Sequence, residues 1–144
     1  GSPEGTPLNR ERLGSDRVDY VVADIFAWRP QRRFDFVLFA FWMSHVPPSR
    51  FQAFWTLVRR ALGPGGRVFF VDSLAEQGAT ARDQAPLDDS GVARGRLNDG
   101  REFDIVKVYY EPASLERRLR TLGWAGWIRA SGRHFVYGTV APIA

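Results

Sequence analysis

A chain of 144 residues with 44% hydrophobic and 25% charged side chains has the size and balance of one globular domain, so residues 1–144 are read as a single unit around one core. No apolar run is long enough to span a bilayer and no secretory leader is visible, while the absence of cysteine removes disulfides, thiolate nucleophiles and cysteine metal sites; a cytoplasmic protein with no metal centre and no membrane partner is expected. The net charge of +4 could draw nucleic acid, but the 20 basic residues are scattered and all but Lys107 are arginine, so nucleic acid is not an expected partner.

Residues 1–7 are rich in Gly and Pro, and residues 8–13 carry helix formers that Gly14 stops. Residues 18–23 alternate and are β-branched, which predicts a strand with Asp24 at its C-terminal end. Residues 34–40 form an apolar run broken only by Asp35, the pattern of a strand covered on both faces. Pro47, Pro48 and Ser49 open a helix whose Phe51, Phe54, Trp55, Val58 and Leu62 recur at spacings of three and four, and Gly63, Pro64 and Gly65 end it. A second apolar strand at residues 68–71 then closes a βαβ unit, with Asp72 after it.

From residue 76 to residue 91 the composition turns small and polar, which predicts a surface loop. Asn98, Asp99 and Gly100 separate two short β-prone runs, residues 92–97 and 103–109, and predict a β-hairpin arm. Pro112 begins a last helix with Leu115, Leu119 and Leu122 on its apolar side; Gly123 ends it, and residues 124–130 and 135–140 pair as antiparallel strands.

Three landmarks, Val-Val-Ala-Asp-Ile-Phe at 21–26, residues 34–45 and residues 62–72, resemble in order and spacing the class I S-adenosylmethionine (SAM)-dependent methyltransferases, and residues 96–110 and 132–138 resemble one subgroup of small bacterial methyltransferases. The resemblance implies an α/β fold, a partial Rossmann-like sheet with strands corresponding to 3, 4, 5, 6 and 7 of the family order 3-2-1-4-5-7-6, plus the hairpin arm. It implies SAM as cofactor, with Asp24 accepting a hydrogen bond from the adenine amine, Ile25 and Phe26 packing on the ring, and Ala40 and Phe41 beside the methionine part. Trp42, Tyr109 and Tyr110 fall on the acceptor side, where a small-molecule substrate is expected. Each residue also has a structural role open to it: Asp24 as a strand-end cap, the aromatics as core packing.

His45 is the one side chain near that strand end that suits proton removal from an acceptor. It is equally a helix-entry histidine bonded to nearby backbone. Leu-Gly-Pro-Gly-Gly at 62–66 follows a helix and precedes a strand, the reverse of a phosphate loop.

The glycine-rich first strand and turn of the family, and the ribose-binding acid of its second strand, have no counterpart in these residues. A sheet lacking those strands leaves strand four with an apolar open edge, so a homodimer or strand-swapped oligomer is expected, and methyl transfer by this chain alone is expected to be weak or absent. The alternative is a non-catalytic protein-interaction domain that keeps the fold.

Overall fold

The structure, a computed structural model, describes residues 11, 18–74, 92–96 and 102–143. The predicted helix at 8–13, apart from Glu11, the loop at 76–91 and the turn at Asn98, Asp99 and Gly100 lie outside the described residues. Contacts divide the chain into two units, Gly1–Gln31 and Arg32–Ala144.

In the first unit, residues 18–24 belong to no helix or strand, which corrects the strand expected at 18–23. Val21 and Val22 are 66% and 65% exposed. A strand exists only through ladder bonds to a neighbour, and no described segment forms a ladder with this run, so β-branched composition alone does not make it a strand. A turn follows, in which the N–H groups of Ala27 and Trp28 donate to the Asp24 carbonyl at 3.0 and 2.8 Å.

The second unit contains β1 (Phe34–Ala40), short 3-10 turns at Met43–His45 and Pro48–Arg50, α1 (Phe51–Ala61), β2 (Leu62–Ser73), β3 (Val92–Arg96), β4 (Glu102–Val106), α2 (Pro112–Thr121), β5 (Trp124–Ser131) and β6 (Phe135–Pro142). The predicted apolar spacing sets α1: Phe51, Phe54, Trp55, Leu57, Val58 and Ala61 are buried on one side. Leu62, expected as the end of that stripe, instead opens β2, and Gly65 takes φ 73° where the register of β2 against β1 shifts, between the Phe34–Leu62 and Phe36–Arg67 pairs. At α2, Pro112 occupies the first turn and the Glu111 carboxylate accepts the Ala113 and Ser114 N–H groups at 3.0 and 2.7 Å, which holds that carboxyl below its ordinary pKa.

The sheet order is β1-β2-β6-β5, with β1 and β2 parallel and β6 antiparallel to both of its neighbours. This is the 4-5-7-6 portion of the expected order. β3 and β4 pair antiparallel as a separate arm, Val92 opposite Val106 and Arg96 opposite Glu102. The arm expected from sequence is therefore present, though it ends at Val106 rather than Tyr109.

One sheet face holds the core. Val68, Phe70, Val136, Val140, Ile128 and Trp124 are buried there against α1, with Leu115 and Leu119 of α2 buried too. Trp55 stands at the centre, its ring 5.0 Å from Trp124, 5.8 Å from Phe39 and 6.0 Å from Phe70, all edge-on. The helices lie side by side, because the Arg118 guanidinium sits 3.8 Å from the Phe51 ring centroid and Arg59 of α1 donates to the carbonyls of Leu122 and Gly123. On the opposite face the row Leu38, Phe69, Thr139 and Trp127 crosses all four strands. No described helix of this unit covers that row, and Leu38 is 62% exposed.

Candidate functional site

The parallel strands β1 and β2 end together, and the side chains at their carboxyl ends form the candidate site. Ala40, the last residue of β1, is exposed. Phe41 continues one ladder bond, its N–H donating to the Val71 carbonyl at 2.8 Å, but its φ is 52°. A left-handed aromatic residue costs about 1–3 kcal/mol and persists only where its surroundings enforce it. Here the turn throws the Phe41 ring outward, half-exposed and 5.8 Å edge-on from Phe135, with Trp42 partly exposed beside it.

The turn Met43–His45 follows; Met43 and Ser44 are buried and His45 is exposed. Beneath it lies Asp72, 1% exposed, near the end of β2. Its Oδ2 accepts the Ser44 N–H at 2.9 Å, its Oδ1 accepts the Ser73 N–H at 2.8 Å, and Lys107 Nζ stands 3.8 Å from Oδ1. Two amide donors and an ammonium compensate a carboxylate removed from water. Lys107 Nζ also donates to Ser44 Oγ at 2.9 Å and lies 5.5 Å from the Tyr109 ring centroid.

His45 Nδ1 is 2.8 Å from the Val106 carbonyl oxygen. A carbonyl only accepts, so Nδ1 carries the proton and the neutral ring keeps the Nε2 lone pair. The two roles open in the sequence are thus compatible: His45 is bonded to backbone through one nitrogen and chemically able to take a proton on the other.

Tyr109 is half-buried, whereas Tyr110 is only 8% exposed and packs 5.6 Å from the Phe51 ring. Tyr110 is therefore a core side chain, and not a wall residue like its neighbour. Burial pushes its phenol up to about 12, opposed by the Arg118 charge and assisted by Asp72. Its hydroxyl, like Trp55 Nε1, has no hydrogen-bond partner among the described residues.

Asp24, Ile25 and Phe26 belong to the other unit. Asp24 Oδ1 accepts the Phe26 N–H at 3.0 Å, a local turn bond in place of the strand-end cap that its sequence position allowed, and Ile25 and Phe26 are half-buried. Sequence reasoning missed the cluster of Ser44, Asp72 and Lys107, because its members stand 28 and 63 positions from Ser44. One signal was available: a carboxylate directly after four apolar residues of a buried strand needs partners.

Away from the strand ends, a cavity of about 230 Å³ opens beside Gln52, Thr56, Arg59 and Thr121, but Arg59 is committed to the Leu122 and Gly123 carbonyls there. Among the described residues no three His, Asp or Glu side chains gather in a way that could hold a metal, and no helix is long and apolar enough to cross a membrane.

No family model and no curated protein matches the chain. Among solved structures, DhpI in complex with SAH is 40% identical at a TM-score of 0.78, over 96% of this chain and 60% of its own. DhpI in its SAM-HEP complex is 38% identical at 0.79, over 96% of this chain and 64% of its own, so this chain spans less than two thirds of these relatives. The Burkholderia thailandensis 1,6-didemethyltoxoflavin-N1-methyltransferase, solved with 1,6-didemethyltoxoflavin and S-adenosylhomocysteine, is 18% identical at 0.62, over 99% of this chain and 57% of its own, and shares the fold.

Proposed function

We propose that this chain, whose fold is a partial class I SAM-dependent methyltransferase domain, serves methyl transfer from SAM to a small-molecule acceptor. The observation that carries the proposal is 40% identity over 96% of the chain to a protein solved with SAH. Each unit carries residues that suit such a cofactor. Asp24 is exposed and has one oxygen unspent after its bond to Phe26, half-buried Ile25 and Phe26 offer an apolar wall, and the outward turn at Phe41 exposes the end of β1.

When bound, the cofactor supplies an electrophilic methyl group on a sulfonium. Asp24 would accept from its adenine amine, Ile25 and Phe26 would pack on the ring, and Ala40 and Phe41 would flank its methionine part. Trp42 and Tyr109 would shape the acceptor side, with Tyr110 supporting them from the core. His45, held in the Nδ1–H form by the Val106 carbonyl, would take the acceptor's proton on Nε2; a positioned base of this kind contributes about 10²–10⁴-fold. Among the described strands β1 stands at the sheet edge, and its Phe36 and Leu38 are 56% and 62% exposed on the uncovered face; both features support association with a second copy of the chain.

Titration of the labelled chain with S-adenosylhomocysteine, followed by NMR, tests the proposal. Weak binding is expected, with shifts concentrated at Asp24, Ile25, Phe26, Ala40 and Phe41. No change at these residues with millimolar ligand would remove the cofactor from the proposal. In that event the uncovered sheet face favours the second reading, a non-catalytic protein-interaction domain.

A further inference from the structure

Ser44 is fully buried, and its polar groups are taken by two separate parts of the chain, β2 and the segment that follows β4. Its N–H donates to Asp72 of β2, its Oγ accepts from Lys107, and its carbonyl accepts the Val108 N–H at 2.8 Å. Three successive residues at the exit of the arm therefore bind two adjacent residues of one turn: the Val106 carbonyl meets the His45 ring, the Lys107 ammonium meets Ser44 Oγ, and the Val108 amide meets the Ser44 carbonyl. Asp72 underlies both sides, since the same carboxylate takes the turn's amide on Oδ2 and faces the arm's ammonium with Oδ1.

We propose that Asp72 is a positioning residue: its buried carboxylate couples the turn carrying His45 to the base of the β3–β4 arm through Ser44 and Lys107, and so fixes which nitrogen of His45 bears the proton. The coupling is physical and directional. A carboxylate can hold an amide and an ammonium together, whereas an uncharged side chain at that place holds the amide more weakly and the ammonium hardly at all. With the ammonium released, residues 106–108 lose their anchor to the turn, the Val106 carbonyl leaves His45 Nδ1, and the ring is free to exchange tautomers. Its value to methyl transfer rests on the function proposed above; the coupling itself does not.

The test compares the intact chain with Asp72→Asn and Lys107→Met by amide hydrogen exchange and by the 15N signature of the His45 ring, neither of which requires cofactor or turnover. Failure of the coupling and failure of the methyltransferase proposal are thus read separately. In Asp72→Asn, exchange at Ser44 and Val108 should rise about tenfold or more and the Nδ1–H signature should be lost, while Val68 and Val140 at the sheet centre keep their protection. In Lys107→Met, Val108 should loosen and the His45 signature fade while Ser44 stays protected by Asp72. The proposal is overturned if the His45 signature persists in both variants, or if Asp72→Asn loosens Val68 and Val140 as much as Ser44. Should Asp72→Asn not fold, Lys107→Met decides alone, and an unchanged His45 ring there overturns the proposal.

Discussion

The two faces of the four-stranded sheet are made by the same strands, one residue out of phase, and meet opposite surroundings. Val68, Phe70, Val136 and Val140 are sealed beneath α1 and α2, while Phe36, Leu38 and Trp127, on the other face of the same strands, are 56%, 62% and 40% exposed. Side-chain polarity separates these faces only in part: both carry aromatic and aliphatic residues, with Thr139 and Arg129 added on the uncovered one. What separates them is which helices the connections between strands deliver, because a parallel pair such as β1 and β2 buries both faces only when helices arrive on both. Apolar alternation therefore sets where a sheet could be covered, and connectivity sets where it is.

The largest expected effect sharpens that contrast with one residue type. Trp55→Ala removes the ring that Phe39, Phe70 and Trp124 surround and should cost about 3–5 kcal/mol in denaturant unfolding. Trp127→Ala on the other face, where the ring touches Tyr137 and Arg129 at the surface, should cost less than about 1.5 kcal/mol, and equal costs would break the comparison. Next comes the polar member of the covered face: Asp72→Ala strands Lys107 and two amides, and should cost about 2–3 kcal/mol, discounted because Lys107 is 16% exposed.

Tyr110→Phe removes a buried hydroxyl without a partner and should be neutral or stabilising by up to about 1 kcal/mol at neutral pH. The folded phenol titrates near 12, above its ordinary 10.0, so its protonated form stabilises the fold fully below pH 10 and that contribution is lost as pH rises from 10 towards 12. Alkaline unfolding of Tyr110→Phe should accordingly begin at higher pH. Leu38→Lys, on the uncovered face, should change stability by no more than about 0.5 kcal/mol while abolishing any concentration-dependent sedimentation. The smallest effect concerns Glu111, whose folded carboxyl titrates below its ordinary value of 4.5. It stabilises above that value and loses this as pH falls, so Glu111→Gln should flatten the acid limb of the stability curve.

The helices, the β1–β2 pair, the arm and the final hairpin were legible because each rests on a local period or a turn residue. Residues 18–23 carry the same strand signal as 68–71, yet among the described residues only the latter form ladders; a ladder is a property of two segments, and one run cannot report it. Around the candidate site the chemistry of His45 could be read from its type, but the bond that selects its tautomer spans 61 positions. Tyr109 and Tyr110 are adjacent and alike in sequence. Leaving the arm, the chain turns one towards Lys107 and the other into the core against Phe51, a distinction that only packing makes.

The place of β6 between β2 and β5 governs timing during synthesis. The Thr139 hydroxyl reaches the Val68 carbonyl across 71 positions, and until Phe135–Pro142 leaves the ribosome β2 has one side unpaired. At ribosomal speeds of roughly 5–20 residues per second that interval is roughly 4–14 s. For those seconds Val68, Phe69, Phe70 and Val71 form an apolar strand with a vacant rail, a segment on which a chaperone or a neighbouring nascent chain could act before the sheet closes.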